Sequence, residues 1–235
     1  MRNETIYRSA GVCGLISIAL VFTELPLYIA RGPMPSREAA SLITYATHNA
    51  WNMLAAVSID VVICALLLIF LAGFRRLIGN TQPDSMWVAT QVFCAGVVYS
   101  GVTLFGDALQ TASALNALSA KPDPSFLRVF VQGRYPFFGT VGLLFCALLL
   151  AAGSHIAQAN RAFSRVTVWI GYIGSLLCLA LVPFVMAEGP QRFLAIADSA
   201  PWGVLAAIAV VPVVLWMITV VIQMIRQHEP QPSGR

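Results

Sequence analysis

At 235 residues, 58% of them hydrophobic and only 10% charged, the chain lies outside the mix of about 45–50% apolar and about 25% charged residues found in soluble domains. That composition excludes a water-soluble globular protein. The formal charge of +4 comes from basic residues set singly at the ends of apolar runs, which argues against a nucleic-acid surface and for membrane anchoring.

Apolar runs of about 20 residues, enough to cross a roughly 30 Å hydrocarbon core at ~1.5 Å per residue, recur at 9–30, 53–73, 86–107, 136–153, 166–187 and 202–225. The expected fold is therefore all-α, a single polytopic membrane domain of six transmembrane helices whose loops leave no room for a soluble domain. The first run follows Arg2 and Arg8 and has the small Ala30 near its end, as a cleavable signal would. It is longer than a signal's apolar region and contains Glu24, so it reads as a span.

Next comes "SREAASLITYATHNAW", expected as a short amphipathic helix lying along the outer bilayer surface, with His48 at the outer mouth of span two. Span two, "WNMLAAVSIDVVICALLLIF", holds Asp60 about halfway along. Span three ends on Asp107. The loop after it, "DPSFLRVFVQG", offers Asp123 as an N-cap with Pro124 at the first helical position, and Arg134 stands at the outer start of span four. Gly139, Gly142, Gly171, Gly174 and Ser175 allow close helix approach in spans four and five. Glu188 ends span five, Arg192 and Asp198 follow it, and Pro183 and Pro212 are candidate kinks. The tail 227–235 is polar and expected to be disordered.

Cys13, Cys64, Cys94, Cys146 and Cys178 all fall within spans, without a C-x-x-C or any disulfide framework, and read as small apolar residues. His48 and His155 belong to opposite membrane faces and His228 to the tail, so no metal site and no cofactor is expected. Soluble-enzyme signatures such as a P-loop, G-x-G-x-x-G, H-E-x-x-H or G-x-S-x-G do not occur. "CALLL" stands at 64–68 and again at 146–150, and Trp87 and Trp169 each follow their cysteine by the same interval. This suggests that spans 2–3 and 4–5 are parallel copies of one hairpin.

An even number of spans puts both termini on one side. Basic residues pressed against span ends at Arg75, Arg76, Arg161 and Arg165 make that side the cytoplasm. Thirteen of the fourteen basic residues are arginine, a bias that suggests a GC-rich bacterial genome and hence a bacterial inner membrane.

An acid near the middle of a membrane helix costs roughly 2.5–3.5 kcal/mol on insertion scales, so it normally faces the bundle interior with a partner or a proton. At ~1.5 Å per residue, Asp60 lies about 14 Å and Glu24 about 8 Å below the outer boundary. Helical spacing extends each acid into a polar stripe: Cys13, Ser17, Glu24 and Tyr28; Asn49, Met53, Asp60 and Cys64; Gly96, Ser100, Thr103, Asp107 and Thr111. The stripes predict a polar pocket open toward the outer side, with Glu24, Asp60, Asp107, Glu188 and His48 as binding residues. Arg31, Arg192 and above all Arg134 are the candidate counter-charges. Asp107, Glu188 and Asp198 are expected to reach interfacial water.

The opening "YRSAGVCGLISIALVFTEL", the basic turn "GFRRLIG" and the six-span layout resemble a bacterial family of small integral membrane proteins known by a domain-of-unknown-function label. The resemblance implies an inner-membrane protein and carries over no catalytic residue. The segment "LFGDALQTA" departs from that family, which carries a membrane arginine there.

Three functions follow as expectations. The first is a non-enzymatic bundle that binds or passes a small, lipidic or weakly basic molecule. The second is an enzyme using the same carboxyls as general acid and base on a lipid or isoprenoid. The third is a structural or accessory subunit whose polar stripes hold helices together. In all three the bilayer is a partner; oligomeric state is not encoded in these patterns.

Overall fold

The computed structural model describes residues 3–31, 38–125, 127–128, 140–159, 163–187 and 202–226. Among them are six α-helices and no strand. They are α1 (Asn3–Ala30), α2 (Ala39–Thr81), α3 (Met86–Ala117), α4 (Leu143–Ala159), α5 (Arg165–Ala187) and α6 (Trp202–Arg226). Five are long and apolar enough to cross a membrane, and within α6 the apolar segment Val211–Ile225 is described with its side chains. The tail 227–235 lies outside the described residues.

Each helix packs on its neighbours in the chain, and α1 also meets α6, so the six close a ring in sequence order. Large apolar side chains stand exposed along the helices, among them Phe22, Ile69, Phe105, Leu148, Leu176 and Leu215. Apolar exposure on that scale suits lipid and not water. The all-α bundle expected from the sequence is therefore what forms.

The main difference is in α2. The expected surface helix and span two are one continuous helix of 43 residues, about 64 Å long at ~1.5 Å per residue and roughly twice the hydrocarbon thickness. No glycine or proline occurs between Ala39 and Ala72, so nothing stops propagation at the interface. The loop helix is thus present as the first turns of α2. Likewise α3 runs beyond Asp107 to Ala117, and the two helices continue past the acids as an antiparallel pair. Ala46, Ala117 and Leu127 seal this extension, and Ala50, Met53 and Ala114 pack below them. Thr47 donates to the Ala117 carbonyl at 3.2 Å. After α3, the Asp123 carboxylate accepts the Ser125 backbone N–H at 2.8 Å, the expected N-cap of a short helical turn. Ser164 caps α5 in the same way, accepting the Thr167 N–H at 3.2 Å.

The apolar core fills the half of the ring that holds the start of α1 and the end of α2. Phe70, Phe74, Leu77, Ile156, Trp216 and Val220 are almost fully enclosed there. Trp216, which the interfacial belt of the other tryptophans does not account for, is a core residue. Phe74 meets it edge-on at 6.0 Å and meets Phe163 at 6.1 Å. By contrast Trp51, Trp87 and Trp169 are 72%, 64% and 64% exposed, as belt residues are. Trp87 and Trp169 match in exposure, and Cys64 and Cys146 are both buried.

Trp216 fits because its neighbours stop short. A Cβ added at Gly153 or at Gly171 would stand inside the van der Waals envelope of that ring or of the Ser154 side chain. At Gly174 an added Cβ would come within 2.6 Å of Pro212 Cβ. Overpacking of this kind costs about 1–3 kcal/mol and at times more. Gly153→Leu and Gly171→Leu are expected to lower the thermal midpoint of the purified protein by several degrees. Gly101→Leu is the control, since an added Cβ there meets nothing within 4 Å. Equal midpoints for all three would contradict the close approach of α4, α5 and α6.

Candidate functional site

The opposite half of the ring is polar. Buried there are Ser17 and Glu24 from α1, Asn49 and Asp60 from α2, and Ser100, Thr103, Asp107, Gln110 and Ser113 from α3. The acids of the three expected stripes thus come together, while Gly96 packs against Leu71 and Leu149 of the apolar core and Thr111 lines a surface groove. This follows from the packing order, since α2 touches α1 on one side and α3 on the other.

Glu24 and Asp60 face the interior at 6% and 8% exposure. The Tyr28 hydroxyl, one turn beyond Glu24, donates to Asp60 Oδ2 at 3.4 Å. Glu24 lies within hydrogen-bonding reach of both Tyr28 and Asp60, and the Asp107 carboxyl is close enough to act on it through space. Below them the Ser100 hydroxyl faces the Cys64 thiol. Three carboxyls from three helices therefore share one neighbourhood. Glu24 Oε1 is enclosed and accepts no hydrogen bond among the described residues. Like charges repel strongly where water is excluded, so the three carboxyls do not stand together as three bare anions.

Arg31 closes the layer on the side away from the apolar core. It follows the last residue of α1, its N–H bonding back to the Tyr28 carbonyl at 3.3 Å, and its side chain turns inward to only 7% exposure. Nη1 donates to Gln110 Oε1 at 3.2 Å and Nη2 to the Asn52 carbonyl at 3.1 Å. The guanidinium carbon stands 4.3 Å from the centre of the Tyr28 ring, a cation–π contact. Gln110 in turn donates to the Met53 carbonyl at 2.9 Å. Asn49 donates to the carbonyls of Arg31 and Tyr45. One arginine thereby ties the end of α1 to both α2 and α3.

A groove of about 410 Å³ runs along the outer surface of the bundle between α2 and α3, lined by Val57 and Val61 on one side and by Leu104, Ala108, Thr111, Ala112 and Leu115 on the other. Asp107, itself 2% exposed, also lines it. Both of its carboxyl oxygens are enclosed, so the residue separates the groove from the three-acid cluster.

Of the remaining expected residues, His48 is exposed and stands outside the cluster, although its neighbour Asn49 is buried. Arg134 and Glu188, with Arg192 and Asp198, lie outside the described residues. Asp107 was expected to reach interfacial water and instead is buried, because α2 and α3 continue past it and cover it. Gln110 and Ser113 were not anticipated. Gln110 is three residues beyond Asp107 on the same helical face, which is the signal that would have found it. No group of three or more His, Cys, Asp or Glu is arranged to hold a metal ion among the described residues. No protein family, curated protein or solved structure matches this chain, so the site is read from its own geometry.

Proposed function

We propose that this layer binds or passes a small or lipidic molecule in the outer half of the bundle, with Glu24 and Asp60 as its proton- or cation-responsive groups. The observation that carries the reading is the convergence of Glu24, Asp60 and Asp107 from three helices, with one enclosed Glu24 oxygen that accepts no hydrogen bond among the described residues. An enclosed polar atom without a partner costs free energy that a bound group restores. A layer serving packing alone would resemble the Arg31–Gln110 pair above it, where amide and guanidinium each donate to a backbone carbonyl and the guanidinium also donates to the amide oxygen.

Gentle release of the protein from its membrane and native mass spectrometry test this. A bound molecule is expected on the unmodified protein and is expected to be lost from the double variant Glu24→Gln, Asp60→Asn. If both proteins come out bare and melt alike, the layer serves helix packing and the proposal fails.

The proposed setting is a bacterial inner membrane with both termini in the cytoplasm, supported by Arg75, Arg76 and Arg165 at the inner ends of α2 and α5. The likeness in layout to the small bacterial six-span family agrees with that setting. On a background lacking the five native cysteines, a cysteine at Ser36 or Ser125 should react with an impermeant maleimide in intact cells. One at Asn80 should react only after permeabilisation. The reverse pattern would invert the orientation and move the acid layer to the cytoplasmic half.

A further inference from the structure

We infer that Cys146 of α4 and Cys178 of α5 form an intramembrane dithiol that closes to a disulfide when a small uncharged two-electron oxidant enters the bilayer, and that the bond fastens the two helices together. Both residues belong to the apolar core, so the inference stands apart from the acid layer and its proposed role.

The geometry begins with spacing. Cys146, Leu150 and Ser154 follow one another at four-residue intervals, and Gly171, Gly174 and Cys178 at three and four, so each set forms one stripe along its helix. The stripes meet in antiparallel order. At one end, a Cβ added at Gly171 would lie 3.1 Å from Ser154 Cβ, closer than the ~3.5–4.5 Å that separates the two Cβ atoms of a disulfide. One turn along, a Cβ added at Gly174 would lie 3.0 Å from Leu150 Cδ1. One turn further, the Cys146 and Cys178 thiols come within hydrogen-bonding reach of each other. Small residues bring the two backbones close, and sulfurs that face one another meet the directional requirement of a bridge. Cys64 differs, since what faces it is the Ser100 hydroxyl.

The class of oxidant comes from the surroundings. Cys146 is 8% exposed and Cys178 0%, and both lie within membrane-spanning helices. A charged oxidant such as glutathione disulfide is held out by the cost of stripping water from its charges; a small uncharged one is not. Burial slows the first attack on such an oxidant, and proximity speeds the second, because the other sulfur is already in place. With diamide, the first sulfur adds to the N=N bond and its proton passes to the other nitrogen. The second sulfur then attacks the first. The S–S bond forms, the S–N bond breaks, and the second proton goes to the departing nitrogen, so two thiols become a disulfide and diamide becomes the hydrazine.

The test uses the full chain, reduced, in phosphatidylcholine nanodiscs. It is treated with glutathione disulfide, or with diamide raised until Cys94, which is exposed, carries its adduct. Remaining thiols are capped with N-ethylmaleimide in denaturant, and peptides are mapped by mass spectrometry. Diamide is expected to link Cys146 to Cys178, a phosphine reductant to undo the link, and glutathione disulfide to leave both thiols free. Cys64→Ala should link as the unmodified protein does, and Cys146→Ala and Cys178→Ala should show no such link. The thermal midpoint of the linked protein is expected to rise by several degrees, with no rise in Cys146→Ala treated in the same way.

Cys146 and Cys178 both capped as free thiols, at the dose that modifies Cys94, would make the pair ordinary packing and overturn the inference. So would a link from either residue to Cys64, or a link that appears only above the thermal midpoint, because the sulfurs would then not face each other in the folded bundle. Equal linking by glutathione disulfide would overturn the class of oxidant. A linked protein with an unchanged or lower midpoint would overturn the fastening of α4 to α5.

Discussion

Arg31→Met is expected to destabilise the protein more than any other single change in the polar layer, by about 3–5 kcal/mol, the usual consequence of removing one member of a buried charged set. The guanidinium supplies a donor to Gln110 Oε1, a donor to the Asn52 carbonyl and a cation over the Tyr28 ring. Methionine retains much of the volume and none of these. Arg31→Lys keeps the charge but has no planar fork, and is expected to fall between the two. The electrostatic part of the loss is separable by a double-mutant cycle. If Arg31 holds the acids of the layer in balance, Asp107→Asn introduced into Arg31→Met should restore part of the thermal midpoint. Simple addition of the two effects would mean that Arg31 acts through its hydrogen bonds to α2 and α3 and not through its charge.

How much of this bundle could be read from the chain depends on which signal carried each feature. The spans were legible because apolar runs of membrane length are a strong pattern, but the ring they close was not, since hydropathy does not say which helices touch. The length of α2 was not. Thr44, His48, Asn49 and Asn52 lower the hydropathy before Met53 and mark an interface, but helix propagation depends on the absence of a breaker, and none stands before Gly73. The place of Trp216 was hidden for a different reason. Lipid is as apolar as a protein core, so hydropathy does not tell an inward face from an outward one. The small residues Gly153 and Gly171 were the pointer to an enclosed ring, and they became readable once α4, α5 and α6 were seen together.

The candidate site divides in the same way. Glu24 and Asp60 were legible from their depth, since a carboxyl far from water must have company. The apolar run of span three ends at Asp107 and so points to interfacial water there, because hydropathy does not show that α2 and α3 continue past it as helices. Arg31 was read as one of three possible counter-charges on a loop. Its inward turn depends on Tyr28, Gln110 and the Asn52 carbonyl, groups on three different helices that no local pattern brings together. The groove could not be foreseen, because Val57, Val61, Leu104, Ala108 and Leu115 look like any other lipid-facing residues until the two helices are placed side by side.

Asp60 is where binding and packing can be told apart. Asp60→Asn keeps an acceptor for the Tyr28 hydroxyl and removes a like charge beside Glu24, so its thermal midpoint is expected to equal or exceed that of the unmodified protein. Asp60→Leu removes the acceptor and favours insertion by a few kcal/mol. It leaves the Tyr28 hydroxyl without that partner, a loss of about 1–3 kcal/mol in a buried setting. Stability and ligand response should then move independently. With a ligand-binding layer, Asp60→Asn stays folded yet loses most of its ligand, because the cation or proton it held has no charge to meet. With a packing layer, Asp60→Asn is indistinguishable from the unmodified protein in every assay, and Asp60→Leu differs from it in the melt alone. Thermal melts with and without the co-purified molecule, made on all three proteins in one detergent, distinguish these outcomes. A full ligand-induced shift in Asp60→Leu would show that the acid at the centre of span two has no part in binding.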